Sequence, residues 1–202
     1  SGATEANNLA LLGSARANAL RTGRKGHLIT LTTEHHAVLD PLRQLEKEGF
    51  RLTELSPSQD GLICLDKISD AFKDDTILVS IMMANNEIGV IQPISDISRL
   101  CKERGIIFHS DVVQACGNIP LLNNDIEIDM LTISAHKIYG PKGIGALINS
   151  SAIPLVPLLW GGSQENQLRP GTIALPLVIG FAKAIEISQI GIDENLSRIR
   201  NL

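Results

Sequence analysis

The sequence predicts an α/β protein: a three-layer α/β/α sandwich on a mostly parallel sheet. Three observations carry that prediction. Short runs rich in β-branched residues alternate with helical stretches, the order that crossover connections impose. The run Ile77-Leu78-Val79-Ser80-Ile81-Met82-Met83 is almost continuously apolar, as a strand covered on both faces requires. Finally, His35, Asn86, Asp111 and Lys137 each follow a separate strand at its carboxyl end, the edge where open α/β sheets bind ligands.

The elements follow in order. Thr4 is a fair N-cap for a first helix through Leu9, Leu12 and Leu20, ended by Gly23 and Gly26. Residues 27–32 read as a strand, with Glu34-His35-His36 at its carboxyl end. Residues 37–48 read as a helix with Pro41 in its first turn. A strand over 50–56, a turn over 57–61 and a short helix over 65–72 come next. The apolar strand over 77–83 ends in the polar turn Asn85-Asn86-Glu87-Ile88-Gly89. A helix over 94–104, closed by Gly105, leads to a strand over 106–111 that carries Asp111 at its end. Met130 to Ile133 is a further buried strand, ending in Ser134, His136 and Lys137. A glycine-rich turn joins it to a strand over 143–149, and so short a connection permits antiparallel pairing. Loops around Trp160-Gly161-Gly162 and Arg169-Pro170-Gly171-Thr172 precede a helix over 175–188. Residues 193–202 read as a helix whose Leu196 and Ile199 need a partner surface.

Bulk properties narrow the function. A chain of 202 residues, 44% hydrophobic and 20% charged, can bury one sizeable core. A net charge of −4 without a Lys/Arg stripe argues against a nucleic-acid surface. No apolar run approaches a membrane span, and the first residues show no signal-peptide pattern. Cys64, Cys101 and Cys116 form no CxxC pair and no metal spacing, which points to a reducing, cytoplasmic setting. All three are expected to pack as small core residues.

The strand-end residues imply chemistry. A lysine amine can form a Schiff base once deprotonated, and an aspartate can hold a pyridinium nitrogen in its charged form. Lys137 with Asp111 is therefore the pairing that pyridoxal phosphate requires. Its phosphate needs N–H donors and a hydroxyl, which Gly2, Ala3 and Thr4 offer at a helix start. Ser134 and His136 can add donors, His35 can stack on the ring, and Asn86 and Gln114 can reach the ring hydroxyl. Each has a plainer reading. Asp111 can cap the turn after it, Asn86 and Gln114 can bond within loops, and His35 and His36 can be surface residues. Gly140-Pro141-Lys142-Gly143 is not a P-loop, because it precedes a strand rather than opening a helix. There is no GxGxxG fingerprint.

Six motifs in one order carry a resemblance: Ser1-Gly2-Ala3-Thr4-Glu5, Thr33-Glu34-His35, Asn85-Asn86-Glu87-Ile88-Gly89, His109-Ser110-Asp111-Val112-Val113-Gln114, Ser134-Ala135-His136-Lys137-Ile138-Tyr139-Gly140-Pro141-Lys142-Gly143 and Arg169-Pro170-Gly171-Thr172. Together they resemble cysteine desulfurases of the iron–sulfur-assembly type, in the class V aminotransferase group of fold-type I pyridoxal phosphate enzymes. The resemblance implies release of sulfur from L-cysteine, leaving L-alanine, with delivery to an acceptor or scaffold protein. It implies that Lys137 carries the internal aldimine and that Asp111 partners the pyridine nitrogen. His35 would stack on the ring and assist proton transfer. Asn86 and Gln114 would lie near the ring hydroxyl, and Ala3, Thr4, Ser134 and His136 would hold the phosphate. Thr172 would reach the phosphate of the partner subunit, which implies a homodimer. On this reading residues 1–175 are the pyridoxal-phosphate-binding large domain, truncated at its N-terminal edge. Residues 176–202 lead toward a C-terminal small domain.

The chain departs from that pattern in one respect. The family's nucleophilic cysteine and its carboxylate-binding arginine lie beyond residue 202, and none of the three cysteines matches the nucleophile. The chain alone is therefore expected to be inactive. Three other readings remain open: a selenocysteine lyase or another class V lyase or aminotransferase, a metal-dependent hydrolase using His35, His109, Asp111 and His136, or a non-catalytic dimerisation scaffold.

Overall fold

The computed structural model describes residues 1–120, 127–150, 152–190, 192 and 197–198. Its centre is a six-stranded sheet in the order β2-β1-β3-β4-β5-β6. The strands are β1 (His27–Leu31), β2 (Arg51–Leu55), β3 (Thr76–Ser80), β4 (Ile107–Asp111), β5 (Met130–Ser134) and β6 (Gly145–Asn149). The first five run parallel, and β6 returns antiparallel to β5. The chain steps from β1 outward to β2, then crosses back to β3 on the other side of β1. That reversal opens the crevice between neighbouring connections in which such sheets bind ligands.

Strand alternation sorts the core into two layers. Leu28, Leu78 and Met130 point to one face, where they meet Ala10, Leu11 and Ala15 of α1 (Ala3–Thr22) and Val38, Leu42 and Leu45 of α2 (His36–Lys47). Ile29, Val79 and Phe108 point to the other face. There they meet Ile68 of α3 (Leu65–Ala71), Ile97 and Cys101 of α4 (Ile94–Glu103), and Phe181 and Ala184 of α5 (Leu175–Ile190). This is the expected three-layer arrangement. No helix among the described residues is long and apolar enough to cross a membrane.

Several local expectations are corrected. The cap of α1 is Gly2, not Thr4, which lies inside the first turn. The reason is packing: a Cβ on Gly145 would come within 2.7 Å of the Gly2 carbonyl carbon, so the chain enters the helix pressed against the start of β6. Pro41 lies beyond the first turn of α2, which begins at His36. β3 ends at Ser80, yet Ile81 and Met83 still donate to the His109 and Asp111 carbonyls, so the run continues alongside β4. Cys64 is exposed at the start of α3 rather than buried. Through Phe181 and Ala184, α5 packs on the same core as the strands. The helix expected over 193–202, with Leu196 and Ile199, lies almost wholly outside the described residues.

The close approach of Gly2 and Gly145 yields a testable expectation. Gly145→Ala puts a methyl group into backbone that cannot swing aside, and overpacking of this kind costs about 1–3 kcal/mol. Denaturant unfolding measures that loss. An unchanged midpoint would show that the backbone there yields to the added methyl group.

Candidate active site

The carboxyl edge of the sheet opens into a cavity of about 620 Å³. Its lining includes Ala3, Thr4, His35, Asn86, Asp111, Gln114, His136 and Lys137, so four strand ends and the start of α1 contribute to one space. Ser134 and Thr172 are not among its lining residues. Ser134 is buried one step below, where its hydroxyl meets His136 Nδ1 at 2.9 Å and orients that ring. Thr172 is exposed on the loop before α5.

Each side chain is placed by local chemistry. Lys137 sits on a single 3-10 turn, Ala135–Ile138, that follows β5 directly. Tyr139 closes this turn at φ 61°, a left-handed conformation that costs a bulky residue energy. Gly140 then passes so close to the Ala135 carbonyl that an added Cβ would lie 2.9 Å from it. The lysine is thereby displayed at the tip of a tight reversal. His35 is the N-cap of α2, where its Nδ1 accepts the Ala37 N–H at 3.0 Å. In the neutral ring the proton then sits on Nε2. Asn85 ties the loop after β3 to the loop after β1 by donating to the Thr33 carbonyl at 2.8 Å, and its Oδ1 accepts the N–H groups of Glu87 and Ile88. With Asn85 bound inward, Asn86 is left exposed on the cavity wall.

Asp111 lines the cavity from a position only 6% exposed. Its Oδ1 accepts the Val113 N–H at 3.0 Å, so it does cap the following turn. Its Oδ2 accepts Asn7 Nδ2 at 2.7 Å. Burial pushes its carboxyl above the ordinary value, while these two donors and nearby His35 pull it back. His109, two residues deeper on the same face, has both ring nitrogens engaged by Ser80 and Thr132 hydroxyls. Burial pushes its ring down to about 3, so it stays neutral and structural. Among the described residues no group of three His, Cys, Asp or Glu side chains converges to hold a metal, so the hydrolase reading loses its ligand set.

The start of α1 faces the same cavity. The N–H groups of Ala3, Thr4 and Glu5 find no acceptor among the described residues, since the first helical bond runs from Ala6 to Gly2. Free donors at the positive end of a 20-residue helix favour an anion. Glu5 does not fill that place, because Arg169 Nε draws its carboxylate away at 2.8 Å. The same bond ties the loop bearing Thr172 to α1. Arg169 holds the Glu5 carboxyl well below the ordinary value. A carboxyl depressed on folding contributes stability above its unfolded value that fades as pH falls from about 4.5 toward 2. Arg169→Ala is expected to cost about 1 kcal/mol at neutral pH and to flatten that acid loss, as thermal melts across pH would record.

Four residues of the site carried little sequence signal. Asn7, Glu34 and Met82 are buried around Asp111, and Lys142 lines the cavity although its motif is no P-loop. Asn7 alone left a trace, as a polar residue on the helical stripe of Ala10, Leu11 and Ser14. The two buried cysteines are unreactive: burial pushes Cys101 up to about 12 and raises Cys116 as well. None of the three cysteines lines the cavity.

Amine, carboxylate and free N–H groups around one cavity fit a phosphorylated pyridine aldehyde, whose aldehyde, ring nitrogen and phosphate need those three partners. Fold and site thus define a pyridoxal-phosphate-dependent class of α/β protein. The chain belongs to the class-V aminotransferase family, whose profile matches residues 1–202. Members of that family depend on pyridoxal phosphate. The mitosomal cysteine desulfurase of Encephalitozoon cuniculi is 47% identical over all of this chain and 47% of its own length. Cysteine desulfurase IscS of Rickettsia massiliae is 44% identical over all of this chain and 49% of its own. Among solved structures, DndA of Streptomyces lividans matches with a TM-score of 0.89 and 41% identity, over 96% of this chain and 55% of DndA. SspA in complex with cysteine matches with a TM-score of 0.86 and 44% identity, over 92% of this chain and 53% of SspA. The chain therefore spans about half the length of the relatives it matches.

Proposed function

We propose that this chain is the cofactor-binding domain of a cysteine desulfurase, which takes sulfur from L-cysteine, leaves L-alanine and passes the sulfur on as a persulfide to an acceptor protein. One observation carries the reading: Lys137 and the buried Asp111 line a single cavity beside free helix N–H groups, in a chain of the class-V family. Pyridoxal phosphate, when bound, supplies an electron sink that weakens bonds at the substrate's α- and β-carbons. Lys137 would supply the amine that anchors the aldehyde. Asp111 holds the proton on the ring nitrogen. Ala3, Thr4 and His136 would hold the phosphate, with Ser134 orienting His136 from below; Asn86 and Gln114 would reach the ring hydroxyl, and His35 would stack on the ring with its Nε2 facing a proton acceptor or donor.

The exposed Thr172 and the apolar residues Leu175, Val178 and Ile179 beside it support a homodimer in which Thr172 reaches the partner's phosphate. Light scattering of the wild type and of Val178→Asp tests that part. The sulfur-accepting thiol is proposed to lie outside residues 1–202, since no cysteine here lines the cavity. Residues 1–202 alone then bind the cofactor without turning over cysteine. Three free cysteines are in keeping with a cytoplasmic location.

The test uses the full-length protein with pyridoxal phosphate, L-cysteine and a thiol reductant. Sulfide and alanine appearing in equal amounts are the expected result. Alanine without sulfide, or turnover confined to selenocysteine, would overturn the desulfurase reading.

A further inference from the structure

The pyridoxal phosphate reading accounts for Asp111 but not for the two buried polar groups behind it. Asn7 is fully buried, its Nδ2 donates to Asp111 Oδ2 at 2.7 Å, and its Oδ1 has no partner. Glu34 is 5% exposed, its Oε1 accepts the Met82 N–H at 2.8 Å, and its Oε2 has no partner. No cation pairs with Glu34 among the described residues, and the charge it feels is that of Asp111, of like sign. Two ionised carboxylates cannot share so dry a space. Asp111 has a side-chain and a backbone N–H to hold its charge, whereas Glu34 has one backbone N–H. Of the two, Glu34 is the carboxyl that its surroundings press harder toward the neutral form. Once protonated, Oε2 becomes a donor rather than a second buried charge.

We propose that Asn7 and a neutral Glu34 are positioning residues that keep Asp111 ionised and hold its carboxylate toward the cofactor's ring nitrogen. Asn7 supplies the donor that fixes one carboxylate oxygen from α1. Glu34 supplies shape and hydrogen bonding from the loop after β1 without adding a second charge. The inference rests on the cofactor reading above for its purpose, but its two protonation statements concern the protein alone. The other titratable groups around Asp111 are His35 from the same loop as Glu34, His109 deeper on β4, and His136, Lys137 and Lys142 across the cavity.

The first measurement is a carboxyl-carbon NMR titration of the full-length apo-protein, with signals assigned by Asp111→Asn and Glu34→Gln. Glu34 is expected to titrate well above an ordinary glutamate, and Asp111 to titrate higher in Asn7→Leu than in the wild type. A Glu34 midpoint in the ordinary glutamate range, or an Asp111 midpoint unmoved by Asn7→Leu, would overturn the proposal. The second measurement is pyridoxal phosphate affinity with the acid limb of the pH–rate profile. Asn7→Leu is expected to weaken binding about 10-fold or more and to move that limb upward, because Asp111 must lose a proton at higher pH. Glu34→Gln, which mimics the neutral acid, is expected to stay within about 2-fold on both. A loss of more than about 10-fold in Glu34→Gln would show that Glu34 acts as a charge. A wild type that held no pyridoxal phosphate would sink the cofactor reading, and the apo titration would still decide the protonation of both groups.

Discussion

Lys137→Ala is expected to abolish the visible absorption band of the cofactor-loaded full-length protein and to lower cysteine turnover on the order of 10⁴-fold. The magnitude follows from the lysine's two duties. On the proposed reading it anchors the aldehyde covalently before substrate arrives and is the amine that moves protons at the reacting carbon afterwards. Alanine removes both and leaves the fold intact, because Lys137 is exposed at the tip of its turn and makes no side-chain hydrogen bond among the described residues. The informative control is Lys142→Ala. Lys142 lines the same cavity and is the other lysine within it among the described residues. A band lost in Lys142→Ala but kept in Lys137→Ala would transfer the role to Lys142. Pyridoxal phosphate itself should still bind Lys137→Ala weakly, since the α1 N–H groups and Asp111 remain.

Phe108→Ala is expected to destabilise the domain by about 3–5 kcal/mol. Phe108 is 1% exposed on β4, in the layer shared with α3 and α4. Its backbone is also pinned, donating to Asp129 Oδ2 at 2.8 Å while its carbonyl accepts the Asp129 N–H. Such a frame cannot collapse into the void, so most of the cavity cost persists. Domains are held by only about 5–15 kcal/mol, so the loss is a large fraction of the total. Urea unfolding reads it directly. A cost under about 1 kcal/mol would mean that neighbouring side chains refill the space. Because Asp111 ends the same strand, reduced cofactor affinity is expected to accompany the instability.

Much of the architecture is visible in local pattern alone. The apolar run 77–83 and the regular alternation with amphipathic helices point to a covered parallel sheet, because helices from crossover connections cover both of its faces. The same alternation places His35, Asn86, Asp111 and Lys137 at one edge, since parallel strands share the direction of their carboxyl ends. The antiparallel return of β6 follows from a connection too short for a crossover. Local errors arose where packing overrode propensity. Thr4 has good capping chemistry, but the backbone of β6 presses on Gly2 and starts the helix earlier. Cys64 looks apolar in context, yet it falls at a helix start on the surface.

The sequence by itself determined the sheet, its direction and the reactive residues along its edge, because these depend on periodicity and on which residue ends each strand. Only the tertiary structure decided what stands behind them. Asn7 and Asp111 are 104 positions apart, and Met82 and Glu34 are 48 apart, yet each pair shares a hydrogen bond. Contacts at that separation depend on how α1 and the loop after β1 settle on the sheet. The same holds for protonation: the charge of Asp111 and the neutrality proposed for Glu34 come from burial and from the count of nearby donors, which no local pattern records.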